Sequence, residues 1–335
     1  DEVAEFNRIM ENQYPKNWED NLPDQFPANA EGVPTRMATG DILNRIAPTF
    51  PELIGGSADL APATMTLINS SGDFSSSSYE GRNLRFGVRE HAMASITNGL
   101  ALHGGILPYA ATFLVFSDYM RPGIRLAAMM GLKEIFVFSH DSVGLGEDGP
   151  THQPIEQILG LRSIPNLSVI RPSDSNEVIE AWRVAISNNA GPTCILVTRQ
   201  PVPVLDRNLV ASEKNLQFGA YTLSEASKEQ PDVLLIGTGS EVHIALKAQE
   251  ELERKNIAAR VIAMPSWDLF EKQPKEYRDS VIPPNIKARV SIEAGSPIGW
   301  ERWTGDDGAI IGIDSFGASA PWKDLYQKFN ITSEN

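Results

Sequence analysis

At 335 residues the chain is too long for one ordinary domain and suits two. Its net charge of −14, from 43 acidic and 29 basic residues, repels phosphate-rich partners and argues against nucleic acid or an anionic membrane surface. A single cysteine, Cys194, leaves no disulfide framework and no thiolate metal site, and no apolar run reaches membrane-spanning length.

The opening residues, Asp1 to Glu5, have the pattern of neither a signal peptide nor a transit peptide. A cytoplasmic compartment is the expectation, or a plastid where a transit peptide has been removed. Residues 1–30 are polar and carry Pro15, Pro23 and Pro27, which reads as a short helix and then an extended linker. From Thr35, a candidate N-cap, a helix runs to near Pro48. Residues 106–110, 135–138, 167–170 and 194–197 read as short buried strands. Between the last two, Val178, Ile179, Trp182, Ala185 and Ile186 share one helical face. Pro201, Pro203 and the polar stretch after them place a boundary within 200–218. This gives a linker over 1–30, a first domain over 31–206 and a second over 207–335. In the second, strands are expected at 233–236, 260–263, 290–293 and 310–313, with a helix over 240–255. Gly237-Thr238-Gly239-Ser240 could offer backbone N–H groups to an anion; the plainer reading is a tight turn capped by Ser240. The fold class is therefore α/β: two domains, each a mainly parallel sheet flanked by helices.

The stretch from His140 to Glu156, HDSVGLGEDGPTHQPIE, packs two histidines, four acidic residues and three glycines into a loop after a buried strand. Ligands of parallel sheets bind beyond the carboxyl ends of strands, where this loop falls. A metal is the rival reading, but the spacing of His140, Asp148 and His152 matches no common zinc pattern.

That run resembles the signature of the transketolase family. So do PELIGGSADLAP (51–62), LRFGVREHAMASITNGLALHGG (84–105) and ATFLVFSDYMRPGIRLAA (111–128), with SIEAGSPIGWERW and GIDSFGASAP near the end. The resemblance follows the family's order along nearly the whole chain. Deoxyxylulose-phosphate synthase and the pyruvate dehydrogenase β-subunit share only a shorter histidine-containing core. The resemblance implies a pyrimidine-binding domain and a C-terminal domain of a thiamine-diphosphate enzyme. Such an enzyme transfers a two-carbon ketol unit from a ketose phosphate to an aldose phosphate.

By that resemblance Glu90, in FGVREHAM, matches the carboxyl that hydrogen-bonds the cofactor's aminopyrimidine nitrogen and favours its imino tautomer. By position alone, Glu90 could equally be an acidic residue at a helix N-terminus. Phe116 matches the residue that stacks on the pyrimidine, with Phe113 and Tyr119 lining the slot. Spaced three apart, the three are expected as a stripe on the next helix, a spacing that by itself usually means core. Asp59, in GGSADL, belongs either to the cofactor-contacting loop or to a carboxylate network at the subunit interface. Arg36, His140 and Arg199 match the residues at the sugar phosphate end, where a guanidinium or charged imidazole suits the anion. Asp148 matches the residue that recognises the α-hydroxyl, and His152 the one at the donor carbonyl oxygen and the intermediate. One departure is Ala63, where the family commonly has a phosphate-binding serine.

The family holds the diphosphate and its Mg2+ or Ca2+ in a separate N-terminal domain marked by Gly-Asp-Gly and a later Asn. The nearest match here, Gly305-Asp306-Asp307-Gly308, lacks the Asn and reads as a turn. The expectation is a homodimer that lacks that domain, is inactive by itself, and exposes apolar surface around Phe113, Phe116 and Tyr119. The alternatives are a subunit of a split transketolase and a non-catalytic pyrimidine-domain scaffold.

Overall fold

The computed structural model describes residues 2–335 and contains thirteen named strands in three sheets. The first sheet is built from β2 (Leu53–Ser57), β3 (Asn83–Arg85), β4 (Leu107–Phe113), β5 (Ile135–Ser139), β6 (Ser168–Ile170) and β7 (Thr193–Val197). Their order is β3-β2-β4-β5-β7-β6, and every pairing is parallel. All residues of β4, β5 and β7 are buried, which explains their unbroken apolar runs: helices cover both faces. A short antiparallel ribbon, β1 (Asn29–Pro34) with β8 (Pro201–Val204), ties the start of this unit to its end.

The second sheet contains β9 (Tyr221–Ser224), β10 (Val233–Gly237), β11 (Ala259–Ala263), β12 (Arg289–Ile292) and β13 (Ala309–Ile311). Its order is β13-β12-β10-β11-β9, parallel except for the edge strand β9. The α/β reading with two mainly parallel sheets therefore holds.

The helix at 175–187 shows the local logic. Asp174 caps it by accepting from the Glu177 N–H at 2.8 Å. Val178, Ile179, Trp182, Ala185 and Ile186 are all buried, together with helix Thr35–Ile46, on one face of the first sheet. Met93, Ala94, Met120 and Ile124, from helices Glu90–His103 and Ser117–Met130, cover the other face.

Four local readings need correction. Thr35 is the first helical residue, not the cap. Its hydroxyl instead accepts from the Thr198 N–H at 2.7 Å, pinning the helix to the exit of β7. Ser240 does not cap its helix, which begins at Val242 after a 3-10 turn at Gly239–Glu241; its hydroxyl is buried among polar groups. The stretch before β1 is not free of the core, because Trp18 and Leu22 are buried in it. Phe113, Phe116 and Tyr119 do not share a helix: Phe113 ends β4, Phe116 ends a 3-10 turn, and Tyr119 lies in helix Ser117–Met130.

Candidate functional site

Neighbouring strands of the first sheet deliver the candidate residues to one edge. β2 runs out through Ser57 to Asp59, β4 ends at Phe113, β5 leads into His140, and β7 leads through Thr198 to Arg199. After the neighbouring β3, Glu90 opens the helix Glu90–His103. Carboxyl ends of adjacent parallel strands form the crevice in which such sheets bind ligands.

Two of these residues hold left-handed backbone, Asp59 at φ 59° and His140 at φ 60°. Side chains adopt that region at a cost, so the surroundings must enforce it. At His140 they do so closely. The ring stacks on Phe113 with centroids 3.6 Å apart, and its Nδ1 lies 2.9 Å from the Ser139 hydroxyl. Burial first, then the charges of Arg36, Arg199 and His152, push the imidazole down to about 3. His140 is therefore neutral at physiological pH, not the charged imidazole that an anion site suggested.

Arg36 and Arg199 sit close enough to influence each other. Burial first, and then the Arg199 charge, hold Arg36 below the usual guanidinium range. Arg36 donates to the Ala63 carbonyl at 2.5 Å and Arg199 to the Leu145 carbonyl at 3.0 Å. Among the described residues the buried Nε of Arg36 has no partner. Two guanidinium groups at close quarters with donors to spare form an anion-accepting corner. Ala63 lies against it through its backbone, so the missing serine hydroxyl concerns this corner.

The aromatic residues form a stack despite lying on three different elements. Phe113 and Phe116 lie 6.0 Å apart at 11°, and Phe116 and Tyr119 lie 6.1 Å apart at 23°. His152 meets Phe116 edge-on at 5.5 Å and Phe113 at 6.3 Å, and its Nδ1 lies 2.8 Å from the Thr151 hydroxyl. The exposed apolar surface lies on Tyr119, which is 62% exposed, whereas Phe113 is buried and Phe116 half-buried. Asp148 and Asp59 are exposed.

Glu90 is largely buried at 8% exposure, its carboxylate oxygens keep access to solvent, and among the described residues they have no hydrogen-bond or ion-pair partner. A carboxylate that has no protein partner and can be reached from outside is free to bond a ligand. Its helix packs tightly on Ser117–Met130: a Cβ at Gly123 would lie 2.6 Å from that of Ala94, and Asn98 donates to the Gly123 carbonyl at 3.0 Å. The carboxylate is thus carried on a rigid element beside the one that bears Tyr119.

The structure therefore gathers Arg36, Arg199, His140, His152, Phe113, Phe116 and Tyr119 into one constellation. Glu90, Asp59 and Asp148 stand on elements or loops along the same edge of the sheet. Ser139, Thr151 and Thr198, which orient these groups, were not singled out from the sequence. Two of them directly precede a candidate histidine and the third precedes Arg199. Among the described residues no three His, Cys, Asp or Glu side chains gather as a metal site, and no helix is long and apolar enough to cross a membrane.

Comparison with known proteins identifies the family. The transketolase pyrimidine-binding domain matches residues 31–204, and the transketolase-like C-terminal domain matches residues 219–332. A transketolase from Geobacillus stearothermophilus is 50% identical over 333 residues, covering 99% of this chain and 50% of the relative. The structure of transketolase from Leishmania mexicana superposes with a TM-score of 0.92 at 43% identity, over 99% of this chain and 48% of that one. A split-gene transketolase, an inactive β4 tetramer, shares the fold at a TM-score of 0.72 and 24% identity, over 90% of this chain and 95% of its own. The chain spans about half the length of the curated relatives it matches. With two family domains in order and a relative at 50% identity along its length, this chain belongs to the transketolase family.

Proposed function

We propose that this chain supplies the pyrimidine side of a transketolase active centre, which moves a two-carbon ketol unit from a ketose phosphate to an aldose phosphate. The observation that carries the reading is the Glu90 carboxylate, without a protein partner among the described residues, on the helix next to the stacked aromatic residues. The residues fit the aminopyrimidine half of thiamine diphosphate: a carboxyl for the ring nitrogen, and an apolar stack, Phe113, Phe116 and Tyr119, for the ring face. When bound, that cofactor supplies a stabilised carbanion.

The other roles follow from placement. Glu90 holds a proton at the ring nitrogen. His152, held by Thr151 against the aromatic stack, donates a hydrogen bond to the donor carbonyl oxygen. Asp148 accepts from the α-hydroxyl. Arg36 and Arg199 take the sugar phosphate, with neutral His140 donating to it through one ring nitrogen. Asp59 lies on the cofactor side of the crevice. The domain division at 200–218 belongs to this reading too, as the seam between the pyrimidine unit and the C-terminal unit.

Since the chain matches half of its relatives' length, the diphosphate and its Mg2+ or Ca2+ are assigned to a separate diphosphate-binding part. The chain works in a dimer that brings that part to Tyr119. The test mixes purified chain with the diphosphate-binding half of a relative, thiamine diphosphate and Mg2+. Ketol transfer between a ketose phosphate and an aldose phosphate should appear in the mixture and in neither half alone. Absence of transfer from a mixture that forms a stable complex would count against the reading.

A further inference from the structure

The second unit has no candidate catalytic residue, yet it grips the loop that carries three of them. We propose that Arg171 is a positioning residue: through Asp141 and Glu241 it fixes the loop bearing His140, Asp148 and His152 against the second sheet. This rests on the reading above for what the loop does, but not for how it is held.

Arg171 follows β6, is fully buried, and spends its guanidinium on both units. Nε donates to Asp141 at 2.8 Å, and Asp141 is the residue after His140. One terminal nitrogen donates to Glu241 and to the Thr238 carbonyl at 3.1 Å; the other reaches the Ser240 hydroxyl at 3.3 Å. Glu241 is in turn held by the Ala294 N–H at 3.0 Å and the Tyr326 hydroxyl at 2.8 Å, both from the second unit. The turn has been shaped for this guanidinium. Gly239 holds φ 56°, and a Cβ there would lie 2.6 Å from the Arg171 Nε.

Further grips follow along the loop. Gln153 donates to the Ala318 carbonyl at 2.8 Å, and the Ser319 hydroxyl to the Glu147 carbonyl at 2.5 Å. The Ser296 N–H donates to the Ile155 carbonyl at 2.9 Å. A Cβ at Gly144 would collide with Gln200, whose amide reaches Ser240 and Tyr326. The loop from 140 to 155 thus lies between the units, with its chemistry-bearing side chains on the first and its anchors on the second.

A buried ion cluster is weak evidence for stability, and its best-attested use is to select one arrangement over others. Here there is an arrangement to select. His140 has a left-handed backbone, and Ser139 and Phe113 hold its ring. Asp141, the next residue, is tied to Arg171 and so fixes the backbone that follows.

The test uses this chain and the variants Glu241→Gln, Tyr326→Phe, Arg171→Lys and Arg171→Met. Amide hydrogen exchange is followed for residues 140–153 and, as an internal control, for β10 and β11. Binding of inorganic phosphate is followed by NMR. In Glu241→Gln and Tyr326→Phe, amides of 140–153 should exchange at least tenfold faster, with β10 and β11 unchanged, and phosphate should bind roughly tenfold more weakly. Arg171→Lys, which keeps the charge, should show part of the change and Arg171→Met more of it. Unchanged loop exchange in folded variants overturns the proposal. So does a uniform acceleration across both sheets, which marks a purely structural cluster. If Arg171→Met fails to fold, the other variants decide. If the unaltered chain binds no phosphate, the functional reading fails, and the exchange pattern still decides whether Arg171 positions the loop.

Discussion

The two sheets have the same architecture and use their strand ends in opposite ways. The carboxyl ends of β2, β4, β5 and β7 lead to Asp59, Phe113, His140 and Arg199 along one edge. Those of β10 and β12 lead to Ser240, Glu241 and Glu293, which are buried. Glu293 takes both terminal nitrogens of Arg162 at 2.8 and 2.9 Å and the Trp300 indole N–H at 2.8 Å. The carboxylates at the second sheet's ends, Glu241 and Glu293, are therefore saturated by the protein, although the buried Thr238 hydroxyl has no partner among the described residues; at the first sheet's ends the Glu90 carboxylate is left free. Buried polar groups are normally partnered, so an unpartnered one at the crevice is a candidate for a ligand only together with its surroundings.

Glu90 is the sharpest contrast with Glu293. Both residues are largely buried, but among the described residues Glu293 is saturated and Glu90 has no partner. In an assembled enzyme carrying this sequence, Glu90→Gln should lower turnover roughly 100- to 10,000-fold, the usual size of a lost proton-transfer role. If Glu90 only complemented its helix dipole, its loss would cost about 0.3–1 kcal/mol of stability and leave turnover alone. Turnover, C2 proton exchange of the cofactor and melting temperature, measured on one variant, separate the two. Near-normal proton exchange would reassign the role to another carboxylate, with Asp59 next in line.

A free buried carboxylate need not mean function, and Glu134 sharpens the comparison. It is 1% exposed, neither oxygen has a partner, and burial pushes it up to about 8. It precedes β5, at the end of the strand away from the crevice. Because the folded state raises its pKa, the associated stability is fully present below about 4.5 and is lost as pH rises towards 8. Glu134→Met should therefore stabilise the chain by about 2–4 kcal/mol at pH 9 and far less at pH 4. Denaturant melts at both pH values check this; equal gains at both would mean that the carboxyl is not protonated on folding.

Much of the fold could be read from the sequence because the buried strands are also apolar: 135–138 and 194–197 need no context. β2 was invisible because its sequence, LIGGS, trades side chains for close approach. A Cβ at Gly56 would run into the Leu84 carbonyl, and one at Gly55 into Tyr109. The three aromatic residues were singled out through family resemblance but given the wrong local structure. Spacing by three suggested a helix, whereas a strand end, a 3-10 turn and a helix start produce the same stack. Arg171 was missed for a different reason. Its partners lie 30 and 70 residues away in the chain, and by itself it reads as one more solvated arginine.

His140 tests the electrostatics of the crevice. Its pKa is depressed on folding, so its contribution to stability is present above about 6.5 and lost as pH falls towards 3. Its ring resonances should not titrate between pH 5 and 8 in the free chain. Phosphate seated between Arg36 and Arg199 should screen both charges and move the titration upward by about one unit or more, worth about 1.4 kcal/mol per unit. An unperturbed titration near 6.5 in the free chain would mean that the ring is not enclosed as described.

The smallest expected effect concerns Ala63, whose backbone carbonyl already accepts from Arg36. Ala63→Ser places a hydroxyl beside the anion-accepting corner without moving that carbonyl. A net hydrogen bond contributes about 0.5–1.5 kcal/mol, and a charged acceptor puts it towards the upper end. Phosphate should therefore bind roughly 2- to 12-fold more tightly, with melting temperature little changed because the side chain is only half-buried. Isothermal titration of the two chains with inorganic phosphate measures the difference directly. Equal affinities would place the phosphate beyond reach of position 63, on the Arg199 side of the corner. The guanidinium of Arg36 would then act at a distance, and Arg36→Gln should cost less affinity than Arg199→Gln.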